Sequence, residues 1–151
     1  MYDAYDAYDA LELAKYIVTK CIKDGCPISN LQLQKILFFI QREFLQQKGR
    51  VAFYDDIQAW KFGPVVRNVY VYFCVFGGMP IDLPLEFIEG NINWNDSDKS
   101  LIDGIVVQCR KLDPWQLVAE THKSGGAWDK TYCSGIGFKK PISIDWIKQY
   151  G

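Results

Sequence analysis

Residues 31–72 read LQLQKILFFIQREFLQQKGRVAFYDDIQAWKFGPVVRNVYVY, and the reading of this stretch decides the fold. Ser29 followed three residues later by Gln32 is a capping-box pattern, which predicts a helix over residues 30–48 with Gly49 as its stop. Ile36 to Ile40 is apolar on every side, so this helix needs neighbours all round and is expected at the centre of the domain. Past Gly49, RVAFYDDIQAWKF gathers β-branched and aromatic residues around Asp55 and Asp56. That predicts a small β element near residues 51–62, its two short strands turning at the aspartates. In PVVRNVYVYFCVFGG the propensities favour a strand. Gly63 before Pro64 at a first helical position, the apolar spacing 65, 66, 69, 73, 76 and the Gly77–Gly78 stop favour a helix.

Outward from this stretch, the pattern stays helical. Asp9 with Glu12 caps a run whose stripe is Ala10, Leu13, Ala14, Ile17 and Cys21, ending at Gly25. Residues 77–96, with Pro80, Pro84, Gly90 and several Asn, read as a long connection. Ser97 is expected to cap a further helix with Leu101, Ile102, Ile105, Val106, Cys109 and Leu112 on one side, weakened at Gly104. Asp113, Pro114 and Gln116 supply a cap, a first-position proline and a capping partner for the next helix, which should end near His122 before Gly125–Gly126. A last short helix from about Ser143 would turn Ile144, Ile147 and Tyr150 inward. The threefold YDA repeat over Tyr2–Ala10 has no continuous apolar face and reads as an N-terminal extension, residues 1–8, ahead of one domain over 9–151.

The 151 residues, 49% apolar and 15% aromatic, suit a single domain with a real core. Seventeen basic against eighteen acidic side chains, with no basic block, make nucleic-acid binding an unfavoured function. No stretch approaches about 18 apolar residues, and MYDAYDAYDA has neither the cationic region nor the apolar core of a signal peptide. The expectation is a cytoplasmic chain with no membrane contact. Five cysteines, an odd number within mostly apolar segments, read as small buried thiols rather than a disulfide framework. Cys21 and Cys26 lack a second ligand pair, so no metal or cofactor is expected.

Catalytic constellations are equally thin. A nucleophile needs a positioned base, and His122 is the one histidine in the chain. His122 with Asp129 and Cys133 keeps a small cysteine hydrolase as an alternative, recognisable by rapid alkylation of an activated Cys133 at neutral pH. Gly125–Gly126 after Lys123 and Ser124 lacks the spacing of a phosphate loop. Trp60, Lys61, Phe62, Gly63 and Pro64 interleave aromatics with a cation, a composition that serves protein packing or base stacking.

Leu33, Gln34, Lys35, Ile36, Leu37 and Phe39, the run Ala59 to Val66, and the closing set His122, Trp128, Asp129 and Tyr132 together resemble the SocA-like antitoxins, or Panacea domain. That family includes phage-associated GepA-like proteins. The resemblance spans most of the chain and favours a helix after Pro64. It implies a mainly α (α+β) single-domain bundle of about five to six helices that is not an enzyme. It further implies an antitoxin that neutralises a partner toxin, commonly encoded beside it, by direct binding or as an adaptor to a ClpXP-type protease. Without that partner, a phage accessory protein binding a host factor is the remaining alternative. A partner surface needs about 800 Å² with a few aromatic or Arg anchors. The two motifs nominate Trp60, Lys61, Phe62, Arg67, Tyr70, His122, Lys123, Trp128 and Asp129 for it. Among these and their neighbours, Trp60, Gly63, Pro64 and Trp128 fit scaffold roles, while Lys61, Arg67, His122, Lys123 and Asp129 fit contact roles.

Overall fold

The computed structural model describes residues 7–88 and 90–151. Among these, seven α-helices surround one short antiparallel hairpin: α1 (Ala10–Lys23), α2 (Asn30–Lys48), β1 (Gln58–Trp60), β2 (Gly63–Val65), α3 (Arg67–Phe73), α4 (Asp96–Cys109), α5 (Pro114–Thr121), α6 (Ala127–Tyr132) and α7 (Ile144–Tyr150). The chain is mainly α with a small β element, and no described helix is long and apolar enough to cross a membrane.

Helix α2 begins at the Ser29–Gln32 capping box and ends on Gly49 in the left-handed conformation. It packs against α1, α3, α4, α5, α7 and β2, which explains why its apolar residues leave no polar face. Four polar residues on α2 are nonetheless buried: Asn30, Gln34, Lys35 and Gln41. Each reaches the main chain of the irregular segment beside it. Gln41 accepts from Ala52 N–H (2.7 Å) and donates to the Phe53 carbonyl (2.9 Å). Gln34 accepts from Val66 N–H (2.8 Å), Asn30 donates to the Tyr70 carbonyl (3.1 Å), and Lys35 donates to the Pro64 carbonyl (3.1 Å). Buried backbone groups need partners, and here helix side chains provide what a neighbouring strand otherwise would.

The hairpin lies later than the sequence patterning placed it. Ala59 pairs with Pro64 and Trp60 with Gly63, so the turn is at Lys61–Phe62 and not at Asp55–Asp56. Gly63 decides this: its φ of +115° is a conformation that only glycine adopts readily. Pro64 consequently stands in β2, and the helix starts three residues later at Arg67. Proline is tolerated in this strand because its outer edge faces α2 side chains rather than another strand. On the other edge, residues 139–142 run beside β1, with Ala59 N–H to the Lys140 carbonyl (2.9 Å) and Ile142 N–H to the Ile57 carbonyl (2.7 Å).

Other boundaries shift for local reasons. Asn95, not Ser97, caps α4, its side chain accepting from Asp98 N–H. Ile144 is exposed while Ile147 is buried in α7. Cys26, Cys74 and Cys133 are exposed and only Cys21 is buried, so the reading of five interior thiols is corrected, although all five are free. Of the YDA repeat, residues 1–6 lie outside the described residues. Tyr8 is anchored, its N–H on the Ala52 carbonyl (2.8 Å) and its phenol donating to Asp98 (2.7 Å).

Asp98 ties three parts of the chain together. It is buried and receives Lys48 (2.5 Å), Arg50 through both oxygens (2.6 Å) and Tyr8. Burial pushes its carboxyl up, but the hydrogen bonds from Arg50, Lys48 and Tyr8 outweigh that and hold the pKa below the ordinary aspartate value. Its stabilisation is therefore complete above the unfolded-state pKa of about 4 and is lost as pH falls through the folded value. Asp98→Asn is expected to lower stability by about 3 kcal/mol at pH 7, by urea denaturation, and to flatten the loss of stability on the acid side.

Candidate interaction site

The hairpin, α5 and α6 bring the two distant motifs into one cluster. Trp128 is buried in α6 and its indole N–H donates to the Trp60 carbonyl (2.8 Å). One face of its ring stacks on His122 (centroids 3.7 Å, 3° between planes) and it also stacks on Tyr132 (4.7 Å, 15°). His122 is the C-cap of α5, and Gly125–Gly126 turn the chain back into α6. Asp129 holds that turn, accepting from Gly125 N–H (2.9 Å). This six-residue helix is invisible to periodicity because it offers one and a half turns and two buried residues.

Beneath the hairpin is Lys35, at 0% exposure, with the Pro64 carbonyl as its hydrogen-bond partner. No carboxylate pairs with it among the described residues. Desolvation pushes its pKa down to about 7. A Cβ on Gly63 would lie 2.8 Å from Lys35 Cε and 2.9 Å from Thr121 Oγ1, so the hairpin closes over the ammonium with no spare room. Burial also lowers the His122 pKa. Lys35 adds to this, while a hydrogen bond with the Phe62 main chain and the nearby Asp129 act the other way. His122 is thus neutral at pH 7, and its Nε2 has no hydrogen-bond partner among the described residues.

Over this inner layer lies an outer aromatic tier. Phe62 (48% exposed) meets Trp115 (60%) edge to face at 5.5 Å. Trp60 contacts Tyr70 (5.0 Å) and Phe138 (6.1 Å), and Lys139 Nζ lies over both Trp60 (5.9 Å) and Phe138 (5.3 Å). Exposed large aromatics in contact are a signature of protein recognition surfaces.

Of the nine nominated residues, Trp60, Phe62, Tyr70, His122 and Trp128 converge here, with Lys61 exposed at the hairpin turn, its Nζ over the Phe62 ring (5.6 Å). Asp129 serves the glycine turn, and Lys123 donates to the Gly151 carbonyl (2.7 Å). Arg67 is exposed and lines a separate shallow cleft with Asp55, Asp56 and Asn68. The sequence reading passed over Trp115, Phe138 and Lys139. Trp115, in the first turn of α5, carried a signal: it is a large aromatic directly after a helix-starting proline. Phe138 and Lys139 reach the site through a chain reversal that no local pattern announces. Gly137 permits that reversal, since a Cβ there would collide with the Thr131 carbonyl oxygen.

His122, Asp129 and Cys133 are not joined by hydrogen bonds among the described residues: Nε2 is unpartnered, Asp129 faces Gly125 and Cys133 is exposed. The apolar groove of about 660 Å³ between α2, α4 and α5, lined by Phe39, Leu101, Ile105 and Leu117, holds no histidine. Its Cys109 thiol is pushed up to about 11 by burial, the reverse of activation.

Because Lys35 titrates lower in the folded chain than unfolded, the unfolded state binds more protons there between about pH 7 and 10, and its contribution to stability rises with pH across that window. The Lys35 contribution should grow by about 2 kcal/mol between pH 7 and 9, read by urea denaturation as the change in the stability difference between wild type and Lys35→Met, a difference that cancels the opposing effect of the raised Cys21 and Cys109 thiols. Gly63→Ala is expected to cost about 3 kcal/mol in the same assay, from strain at φ +115° and crowding of Lys35.

A family model described as "Antitoxin SocA-like, Panacea domain" matches residues 33–129, which include all but the first three residues of α2, the hairpin, α3, α4, α5 and the start of α6. Antitoxin SocA of Caulobacter vibrioides (strain NA1000 / CB15N) is 36% identical over 128 residues, covering 80% of this chain and 68% of that protein. No solved structure matches. The match runs from the helix that carries Lys35 to the Trp128–Asp129 pair that closes the cluster, and the chain belongs to the SocA-like antitoxin family, with a Panacea domain.

Proposed function

We propose that this chain is an antitoxin that neutralises a partner toxin protein in the cytoplasm, binding it directly through the face built on Trp60, Phe62, Trp115 and Phe138. The observation that carries the reading is the meeting of the two motifs. Their buried members, Lys35, Gly63 and Trp128, fix the hairpin against α5 and α6, and the exposed aromatics ride on that base. A rigid platform lowers the ordering cost of association, so few side chains need to freeze when a partner docks. Aromatic anchors near the centre of an interface carry most of its free energy.

Two outcomes of binding are chemically distinct. A toxin blocked in a stable complex accumulates with the antitoxin, whereas a toxin handed to a ClpXP-type protease disappears only in cells that have the protease. The free thiols, three of them exposed, suit a reducing compartment.

Phe62→Ala/Trp115→Ala is expected to abolish both rescue and co-purification in a host expressing the product of the neighbouring gene, with a thermal midpoint within about 2 °C of wild type. Rescue at the wild-type level by this variant would remove the aromatic face from the binding surface. A matching drop in thermal midpoint would make both residues scaffold.

A further inference from the structure

The near-neutral total charge hides a segregation that the fold makes meaningful. Residues 58–70 and 122–141 carry six basic side chains and one acidic one, a net of +5. The remaining chain, with eleven basic and seventeen acidic, is net −6. The hydrogen bond from Trp128 to Trp60 and the pairing of residues 139–142 with β1 bring these two segments together, and three of the six cations, Lys61, Lys139 and Lys140, stand at the hairpin turn and on the segment beside β1, next to the aromatic tier. Arg67, Lys123 and Lys130 face the Asp55–Asp56 cleft, the Gly151 carbonyl and α7. The one acid, Asp129, accepts from Gly125 N–H, which leaves it partly committed to its own turn.

From this we infer, on the reading that the face binds a toxin, that the toxin presents an acidic segment bearing apolar or aromatic side chains, and that Lys61, Lys139 and Lys140 select it. Lys61 lies over Phe62, Lys139 lies over Trp60 and Phe138, and Lys140 is exposed one residue on. The Lys61 and Lys139 ammoniums therefore stand at rings that an incoming apolar side chain would cover, and Lys140 adds a solvent-facing charge to the same segment. Carboxylates arriving beside such a chain meet cations already placed, with complementarity acting mainly on encounter rate and choice of partner. A nucleic acid has the same sign of charge but suits the face less well. Phe62 and Trp115 close on each other at 82°, and Trp60 and Phe138 at 62°, so in each pair the edge of one ring blocks a face of the other and the rings form no parallel platform for successive bases. A long polyanion would also run from the cationic face onto the net-negative body. A compact acidic segment stays within the face, whose reach in physiological salt is about 8 Å.

The test uses the full chain and, as probe, the toxic product of the neighbouring gene. Four forms are compared: wild type, K61Q/K139Q/K140Q, K61E/K139E/K140E, and the body control D82K/E86K, whose two acids are exposed. Readouts are growth rescue, affinity for the purified toxin at low and high salt, and thermal midpoint. The inference expects a graded loss, with the Glu form weakened about 10- to 100-fold at low salt, the Gln form less, and both differences shrinking at high salt. The control should bind as wild type does, and all midpoints should agree. Equal rescue and affinity for the Glu form and wild type overturn the inference while leaving neutralisation intact. So does a complex that dissolves on nuclease treatment, because a nucleic acid would then be the bound species. Failure of the wild type to rescue or bind overturns the neutralisation reading, and the acidic-partner inference falls with it.

Discussion

Helix α2 controls the irregular segment that follows it by presenting buried polar side chains to that segment's main chain. Gln41 clasps Ala52 and Phe53, Lys35 holds Pro64, Gln34 holds Val66 and Asn30 holds Tyr70. Residues 30, 34 and 41 recur on one side of the helix, so the contacts run along its length in the reverse order of the chain they bind, from Tyr70 at its start to Ala52 near its end. Each would be costly to leave unpaired in the interior, which makes the path of residues 52–70 a consequence of α2. The hairpin, its turn at Lys61–Phe62 and the aromatic tier all inherit their position from this ladder.

Lys35 is the most demanding member. A lysine with no carboxylate partner among the described residues and a pKa near 7 weakens the fold at neutral pH, where the unfolded chain holds its proton more tightly. Its position is nevertheless closed by a glycine whose missing side chain is what makes room for the ammonium. A methionine would fill the same space without the desolvation cost. The lysine therefore reads as a residue kept for what it holds, the carbonyl at the base of the hairpin, rather than for stability. Trp128 does the corresponding work from the other motif, stapling the Trp60 carbonyl and stacking on His122.

The capped helices were legible because their signals are local. Asp9 with Glu12, Ser29 with Gln32, and Asp113–Pro114 with Gln116 each form the predicted cap, and Gly49 the predicted stop. What misled the reading around Pro64 was a conflict between two local rules, first-position proline and β propensity, that α2 resolves from outside the segment. The strand forms because Lys35 and Gln34 wait on its edge, and no window of sequence around Pro64 contains them. The same applies to the site. The two motifs identified the cluster, yet Phe138 and Lys139 joined it through tertiary pairing with β1, and Asp129 turned inward to serve a turn. Net charge was a poor guide because it averages a cationic face with an acidic body.

The most direct measurement is hydrogen exchange of the full chain with and without its bound toxin. The account predicts that new protection concentrates in residues 58–63, 115–122 and 136–140, with the amides of α1 and the groove between α2, α4 and α5 unchanged. Protection confined to that groove or to α1, with the hairpin exchanging as in the free chain, would contradict it.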